Sequence, residues 1–174
     1  MEKLIRTEVE KLVDDWKTNT NKLDGLNYLM LLKEEDRILP LYIGKAETIG
    51  KGNNNLSANL INIHRDTSKF ARWGDNYAYH IGNLSAVAIP GHTSTKVTKK
   101  YFKWADSLFV EFPTNQPKLK KEVYFWAYAW AKENIGIWED FGATQLTFLE
   151  YLLIGVASSA FPKILLNQEG INRD

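Results

Sequence analysis

The chain has 174 residues, of which 44% are hydrophobic and 13% aromatic, and this composition predicts one globular domain with a single core. It contains no cysteine, which excludes disulfides and thiolate metal sites. Its net charge is only +1, so the chain as a whole is not a basic nucleic-acid binder. Any affinity for phosphate must come from a local basic patch. The charged N-terminus predicts no signal peptide, and no run approaches the ~18 apolar residues of a membrane span. We therefore expect a cytoplasmic protein with no membrane partner.

The first third of the chain predicts a helix followed by a hairpin. Residues 2–17 carry apolar side chains at helical spacing, which is typical of an amphipathic helix packed on a sheet. Two short apolar runs, 26–32 and 38–43, follow and are joined by the charged stretch 33–37. Their length and polar link predict an antiparallel pair of strands. Pro40 lacks an N–H donor, so the second strand is expected at a sheet edge.

A loop rich in glycine and asparagine occupies residues 44–55. A phosphate-binding P-loop would need four residues between its glycines and then Gly-Lys-Ser/Thr. Here five residues separate Gly44 from Gly50, and Gly52 stands where the metal-binding hydroxyl should be. This spacing excludes a P-loop. The next element is expected to be a helix over about 58–66.

The middle of the chain combines predicted strands with a basic, aromatic-rich stretch. We expect strands over 77–89 and 107–112 and a helix-like segment over 120–133. Residues 96–121 are locally basic, and aromatic side chains are interleaved with the lysines. The lysines are Lys96, Lys99, Lys100, Lys103, Lys118, Lys120 and Lys121. Two interpretations stay open: a solvated surface over an aromatic core, or a patch that contacts DNA phosphates.

Glu150 stands out on a predicted C-terminal helix over 144–159. The apolar stripe of that helix consists of Leu146, Leu149, Leu153, Val156 and Ala157. At 100° per residue Glu150 points into this stripe rather than at water. A buried carboxylate needs a cation, strong hydrogen bonds or a raised pKa. It is therefore either a structural ion-pair partner or a metal ligand or catalytic acid, and Mg²⁺ can use a single protein carboxylate.

Three of these features together resemble the GIY-YIG nucleases. Tyr42-Ile43-Gly44 is the second signature of that family, and it continues as Gly44-Lys45-Ala46, as in its excision-repair nucleases. The first signature is degenerate here, Gly25-Leu26-Asn27-Tyr28, with its tyrosine at Tyr28. The C-terminal pattern of the family matches Glu150, Leu153-Ile154, Pro162, Leu166-Asn167 and Gly170. The match touches about 26–89 and 144–170.

The resemblance implies an α+β fold, an α/β sandwich with a small, mostly antiparallel central sheet, an N-terminal hairpin and flanking helices. It implies a single nuclease-like domain over 1–174, with the N-terminal helix at about 2–17 and an insertion at about 90–143 outside the match. The implied activity is a Mg²⁺- or Mn²⁺-dependent endonuclease that hydrolyses DNA phosphodiester bonds.

The resemblance also implies roles for individual side chains. Glu150 would hold the single metal ion against the scissile phosphate. Tyr42 or Tyr28 would position or deprotonate the attacking water, and Lys45 would supply the cation that a phenol with a pKa near 10 needs to act as a base. Asn167 would hydrogen-bond the glutamate or the substrate.

One position departs from the family pattern, and it leaves alternatives open. The family places an arginine on the helix after the second signature and a histidine one turn later. His64 fits that histidine, but Leu60 stands at the arginine position. We assign the missing cation to Arg65 or Arg72 and prefer Arg72, which lies in a predicted turn before the third strand. The alternative that either arginine is only a salt-bridge partner stays open.

This departure and the degenerate first signature also fit a catalytically inactive module that binds DNA. The aromatic content, with six tryptophans, fits an interaction protein as well, and a homodimer stays open.

Overall fold

The computed structural model describes residues 2–50, 55–65, 87–91 and 98–167. The strands are β1 (Leu23–Glu34), β2 (Arg37–Glu47) and β3 (Val123–Ala131). The helices are α1 (Glu2–Lys17), α2 (Ala58–Arg65), α3 (Lys99–Leu108) and α4 (Leu146–Ala160), and a short 3₁₀-helix covers Glu139–Phe141. None of the helices in these ranges is long and apolar enough to cross a membrane.

The three strands form an antiparallel sheet in the order β2-β1-β3. This confirms the predicted α+β fold with its antiparallel hairpin. The strands run further into the charged link than predicted, because Glu34 pairs with Arg37 and the turn consists of Glu35 and Asp36 alone. Pro40 lies on β2, which is an edge strand among the described strands. The pairing of β1 with β2 is irregular at this point, because Met30 pairs with Tyr42 whereas the next residue, Leu31, pairs with Pro40. The edge position expected from the proline is confirmed.

Both faces of the sheet are covered by helices. On one face, Leu26, Tyr28, Ala46, Ala127 and Ala129 pack with apolar side chains of α1 and α2. The stripe of α1 that takes part consists of Ile5, Val9, Leu12 and Val13, so the predicted amphipathic helix is confirmed. On the other face, Ile43 packs with Ile154 and Ala157 of α4. A further cluster surrounds Trp104 of α3 and includes Met30, Leu41, Leu108 and Leu166.

Two predicted elements in the middle of the chain are wrong. The strand expected over 107–112 does not form: residues 107 and 108 end α3, Phe109 forms an isolated bridge with Leu119, and 110–112 are bends. The helix begins after Thr98 and buries Trp104, Ala105 and Leu108 at helical spacing. The helix-like segment expected over 120–133 is β3. In β3 the aromatic side chains of Tyr124, Trp126 and Tyr128 are exposed, whereas Ala127 and Ala129 point inward and are buried. Because both faces carry apolar residues, the sequence lacks the alternation of apolar and polar residues that would indicate a strand.

Two further expectations need correction or fall outside the described residues. The strand predicted over 77–89 lies mostly outside them, and its end is wrong because Val87 and Ala88 are helical and buried against the Trp104 cluster. The predicted C-terminal helix is α4, but Val156 of its expected stripe is exposed, and Ile154 is buried instead.

Candidate active site

Tyr28 and Tyr42 lie side by side on one face of the hairpin. Tyr28 pairs with Gly44 across the strands and Met30 pairs with Tyr42, so the two tyrosines share a face, and their ring centroids are 6.1 Å apart. The ring of Tyr28 is only 3% exposed and lies over Gly44. A Cβ at position 44 would stand 2.5 Å from the Tyr28 phenol oxygen. The glycine of the Tyr42-Ile43-Gly44 sequence thus makes room for the other tyrosine.

The environment of Tyr28 raises the pKa of its phenol well above the usual value. Burial is the largest cause, because the phenolate would lose its hydration. Electrostatic repulsion from Tyr42 and a hydrogen-bonding interaction with it follow, and then the electrostatic effects of Glu150 and Tyr101. The Tyr28 phenol therefore keeps its proton to a higher pH than an ordinary tyrosine.

Glu150, on α4, lies within electrostatic range of Tyr28, although α4 packs on the face of the sheet opposite the two tyrosines. It lies on the side of the helix that faces the sheet, between Leu146 and Ile154, both of which are buried. Its side chain is half-buried, and its charge is close enough to raise the pKa of Tyr28. The fold therefore places Tyr28 and Tyr42 side by side and leaves Glu150 within electrostatic range of Tyr28.

The site also contains aromatic residues from α3 that sequence reasoning did not assign to it. The ring of Trp104 lies 4.7 Å from that of Tyr42, and its indole N–H donates to the carbonyl oxygen of Leu166 at 2.9 Å. Tyr101 packs edge-on against Trp104 at 5.6 Å, and burial raises its pKa. The Nζ of Lys100 lies 5.6 Å from the Trp104 ring centroid. The interleaved lysines and aromatics were a signal for this cluster, but nothing in the sequence linked them to Tyr42.

Lys45 lies on the opposite face of β2 from Tyr42, because the two positions are three residues apart on a strand. Its ammonium forms an ion pair with Glu47 and donates to Thr147 Oγ1 of α4 at 2.5 Å. Thr147 in turn donates to Glu47 at 2.7 Å. Among the described contacts Lys45 therefore joins the start of α4 to β2, and its expected role beside a phenol stays a prediction.

Asn167 has structural contacts as well, and its expected hydrogen bond to Glu150 or the substrate stays a prediction. Its Oδ1 accepts from the Ile43 backbone N–H at 3.0 Å, and its Nδ2 donates to the Ile43 carbonyl at 2.9 Å. Leu166 N–H also donates to the Leu41 carbonyl at 2.7 Å. The segment after α4 thus pairs with the outer edge of β2. Asn167 binds backbone there, rather than Glu150.

The expected arginine and histidine are not joined to the tyrosines by any contact within the described residues. His64 and Arg65 form the last turn of α2, and both side chains are exposed. Arg72, the preferred cation, and Lys96 lie outside the described residues.

The predicted lysine patch divides into two groups. Lys99, Lys100 and Lys103 lie in the first half of α3, and Lys100 is the one beside the aromatic cluster. Lys120 donates to the Asp106 carbonyl at 2.5 Å near the other end of that helix, and Lys121 pairs with Glu34. Lys118 is exposed nearby. The α3 lysines are therefore the better placed of the two groups to meet a phosphate chain at the candidate site.

The side chains at the site suit a metal held by one carboxylate. Among the described residues no three His, Cys, Asp or Glu side chains are grouped so that they could hold an ion. Glu150 is the acidic side chain near the tyrosines, and it is partly open to solvent. Mg²⁺ commonly uses one or two protein carboxylates and completes its shell with water and substrate phosphate. The donor set therefore fits such an ion.

Comparison with known proteins identifies no relative. No family model matches the chain, and neither a curated protein nor a solved structure matches it. The functional assignment consequently depends on the residues and contacts described above.

Proposed function

We propose that the protein is a metal-dependent endonuclease of the GIY-YIG type that hydrolyses DNA phosphodiester bonds. One observation supports the proposal: Tyr28 and Tyr42, which match the two signatures of that family, lie side by side with ring centroids 6.1 Å apart. Glu150, which matches its C-terminal pattern, lies within electrostatic range of Tyr28.

The pKa shift of Tyr28 divides the work between the tyrosines. A phenol that holds its proton cannot accept one from water, so Tyr28 acts as a donor to Tyr42 or to the substrate. Tyr42 is left to position or deprotonate the attacking water. A phenol needs a nearby cation for the second task. Lys100, beside the ring that packs on Tyr42, is the described cation that suits this role, in place of Lys45.

Glu150 would hold the Mg²⁺ or Mn²⁺ ion, which when bound polarises the phosphoryl oxygen and offsets charge on the leaving oxygen. The phosphate chain on either side of the scissile bond would contact Lys99, Lys100 and Lys103, since contacts with phosphate need no base sequence.

A nicking assay on supercoiled plasmid, with Mg²⁺ and with EDTA, tests the proposal. Glu150→Gln removes the charge at constant shape, and we expect it to lower cleavage at least ~100-fold, the loss typical of a catalytic acid–base or metal group. Glu133→Gln changes an exposed glutamate elsewhere and should cut like the wild type. A well-folded wild type that cuts neither plasmid, branched nor single-stranded DNA would overturn the proposal.

A second candidate is a nuclease-like module that binds DNA or a protein without cutting. The observation that favours it is the engagement of Lys45 and Asn167 in contacts that hold α4 and the following segment to β2. Such a module would bind DNA in EDTA as well as in Mg²⁺, with an affinity that falls steeply with salt. Fluorescence anisotropy with labelled duplex at two salt concentrations distinguishes it from the enzyme.

A further inference from the structure

The outer side of α4 is apolar although it is exposed. Glu150 is the one charged residue in the sequence LTFLEYLLIGVASSA, and it lies on the side that faces the sheet. A helix that is apolar all round is normally buried on all sides. Here Phe148, Tyr151 and Val156 are 45%, 49% and 48% exposed.

The segment before α4 extends this apolar surface. Phe141 packs edge-on against Phe148 with centroids 5.6 Å apart, and Trp138 packs against Phe141 at 5.7 Å. The large exposed side chains that these contacts and the helix join, which we name the outer α4 face, are Trp138, Phe141, Phe148, Tyr151 and Val156. An aromatic side chain offers roughly 150–250 Å², so these five at about half exposure present on the order of 500 Å². That is within the size range of the largest apolar patch on a typical monomer, which is often functional.

The outer α4 face contains a shallow, open depression. It has a volume of about 610 Å³ and lies between Trp138 and the helix, where Tyr151, Gly155 and Ser159 are among the residues that line it. A Cβ at Gly155 would meet nothing within 4 Å, so this glycine opens toward solvent. Phe148 lies one turn before Tyr151 on the same helix and is 45% exposed. Two packed helices fit the side chains of one into the depressions of the other.

We propose that the outer α4 face is the contact surface of a homodimer in which α4 packs against α4 of a second copy about a two-fold axis. A two-fold contact joins the same patch on both partners and must be self-complementary. The Phe148 ring of one copy can enter the depression at Gly155 of the other copy, and the second Phe148 ring can do the same in return. The exposed apolar area supplies more than half of the ~800 Å² per partner of a standard interface, and a polar rim supplies the rest.

Charge favours a second copy over other occupants. Between residues 134 and 160 the charged residues are Glu139, Asp140 and Glu150, and all are acidic. A nucleic acid needs lysines or arginines to neutralise its phosphates, and a helix that binds a lipid surface carries the same basic residues. A face without basic residues and with a ring-rich centre matches the apolar interior of homodimer interfaces.

Sedimentation velocity over a range of protein concentrations tests the proposal. We expect a wild-type dimer. Gly155→Leu should raise its dissociation constant at least ~10-fold, as expected when a contact at the centre of an interface is lost. Because the added side chain meets open space in one copy and leucine favours a helix, the melting temperature of the monomer should stay the same or rise. A structural defect would lower it.

Tyr151→Ser provides a second variant, and Phe102→Ser provides the control. Phe102 is 53% exposed on α3, away from the outer α4 face. We expect Tyr151→Ser to weaken the dimer and Phe102→Ser to leave it intact. A wild type that stays monomeric at its highest soluble concentration overturns the proposal, and so does a dimer that both α4 variants leave unchanged. Neither outcome bears on cleavage.

Discussion

The two sides of α4 reverse the usual distribution of residues. The inner side, against the sheet, carries the carboxylate of Glu150 among buried Leu146, Leu149 and Ile154. The outer side carries no charge and exposes large apolar side chains. A partly buried charge costs free energy unless it is compensated, and an exposed apolar face costs solubility. The comparison teaches that the two sides of one helix can support separate proposals: a metal ion at the inner side and a second copy of the chain at the outer side.

The largest expected effect contrasts the two sides directly. Leu149→Ala removes a side chain that is 4% exposed, and we expect it to lower the free energy of unfolding by about 2–4 kcal/mol through lost burial and a cavity. Val156→Ala, on the outer side, should change the unfolding of the monomer by less than ~0.5 kcal/mol. Urea denaturation at low protein concentration measures both. Equal costs would mean that the outer side is packed as tightly as the inner one.

The next effect concerns the glycine beneath the inner site. Gly44→Ala would bring a methyl group against the Tyr28 phenol, which the buried ring cannot easily avoid. We expect a loss of about 1–3 kcal/mol in the free energy of unfolding from overpacking, together with a loss of cleavage. Gly155→Ala is the matched control, because a Cβ there meets open space, and it should not destabilise the monomer. An unchanged stability of Gly44→Ala would contradict the tight approach of Tyr28 to β2.

The inner site and the outer face differ in how far the sequence predicts them. The hairpin and Glu150 are predicted because each depends on a local pattern: two apolar runs with a polar link, and a charge at an apolar helical position. The aromatic neighbours Tyr101 and Trp104 are not, since α3 reaches Tyr42 only through tertiary packing. The roles of Lys45 and Asn167 depend on which atoms face them across the fold. The outer face was missed because the sequence does not tell which apolar positions stay uncovered.

A smaller effect follows from the pKa of Tyr28. The folded-state pKa is raised above the unfolded value of about 10, so the phenol is protonated in both states at neutral pH. Above pH 10 the unfolded chain ionises first, and stability should fall by up to about 1.4 kcal/mol per pH unit until the folded pKa is reached. Tyr28→Phe should flatten this alkaline decline relative to the wild type. Denaturation at a series of pH values measures the free energy of unfolding of both proteins. If the two plots against pH ran parallel, the Tyr28 phenol would be in contact with water rather than buried.

The smallest effect concerns Asp15, a carboxylate that the fold uses only structurally and that therefore serves as a reference for Glu150. Its oxygens accept from Thr20 Oγ1 at 2.5 Å and from the backbone N–H groups of Lys22 and Leu23 at 3.0 and 3.1 Å. Burial acts to raise its pKa, but these hydrogen bonds outweigh it and the net pKa is lowered. The hydrogen-bonded carboxylate thus stabilises the fold above its ordinary pKa of 3.8, and this contribution is lost as the pH falls through the lower folded value.

Asp15→Asn should cost about 1 kcal/mol at neutral pH, where it loses hydrogen bonds to a charged acceptor. The difference from the wild type should close as the pH drops below 3.8, because the wild-type carboxyl is then protonated as well. Cleavage by this variant should stay at the wild-type level under conditions where both proteins are folded. If Asp15→Asn impaired cleavage as much as Glu150→Gln does, then losing a purely structural carboxylate would be enough to impair cleavage. The effect of Glu150→Gln could then be structural as well. The inner side of α4 would then need no ligand.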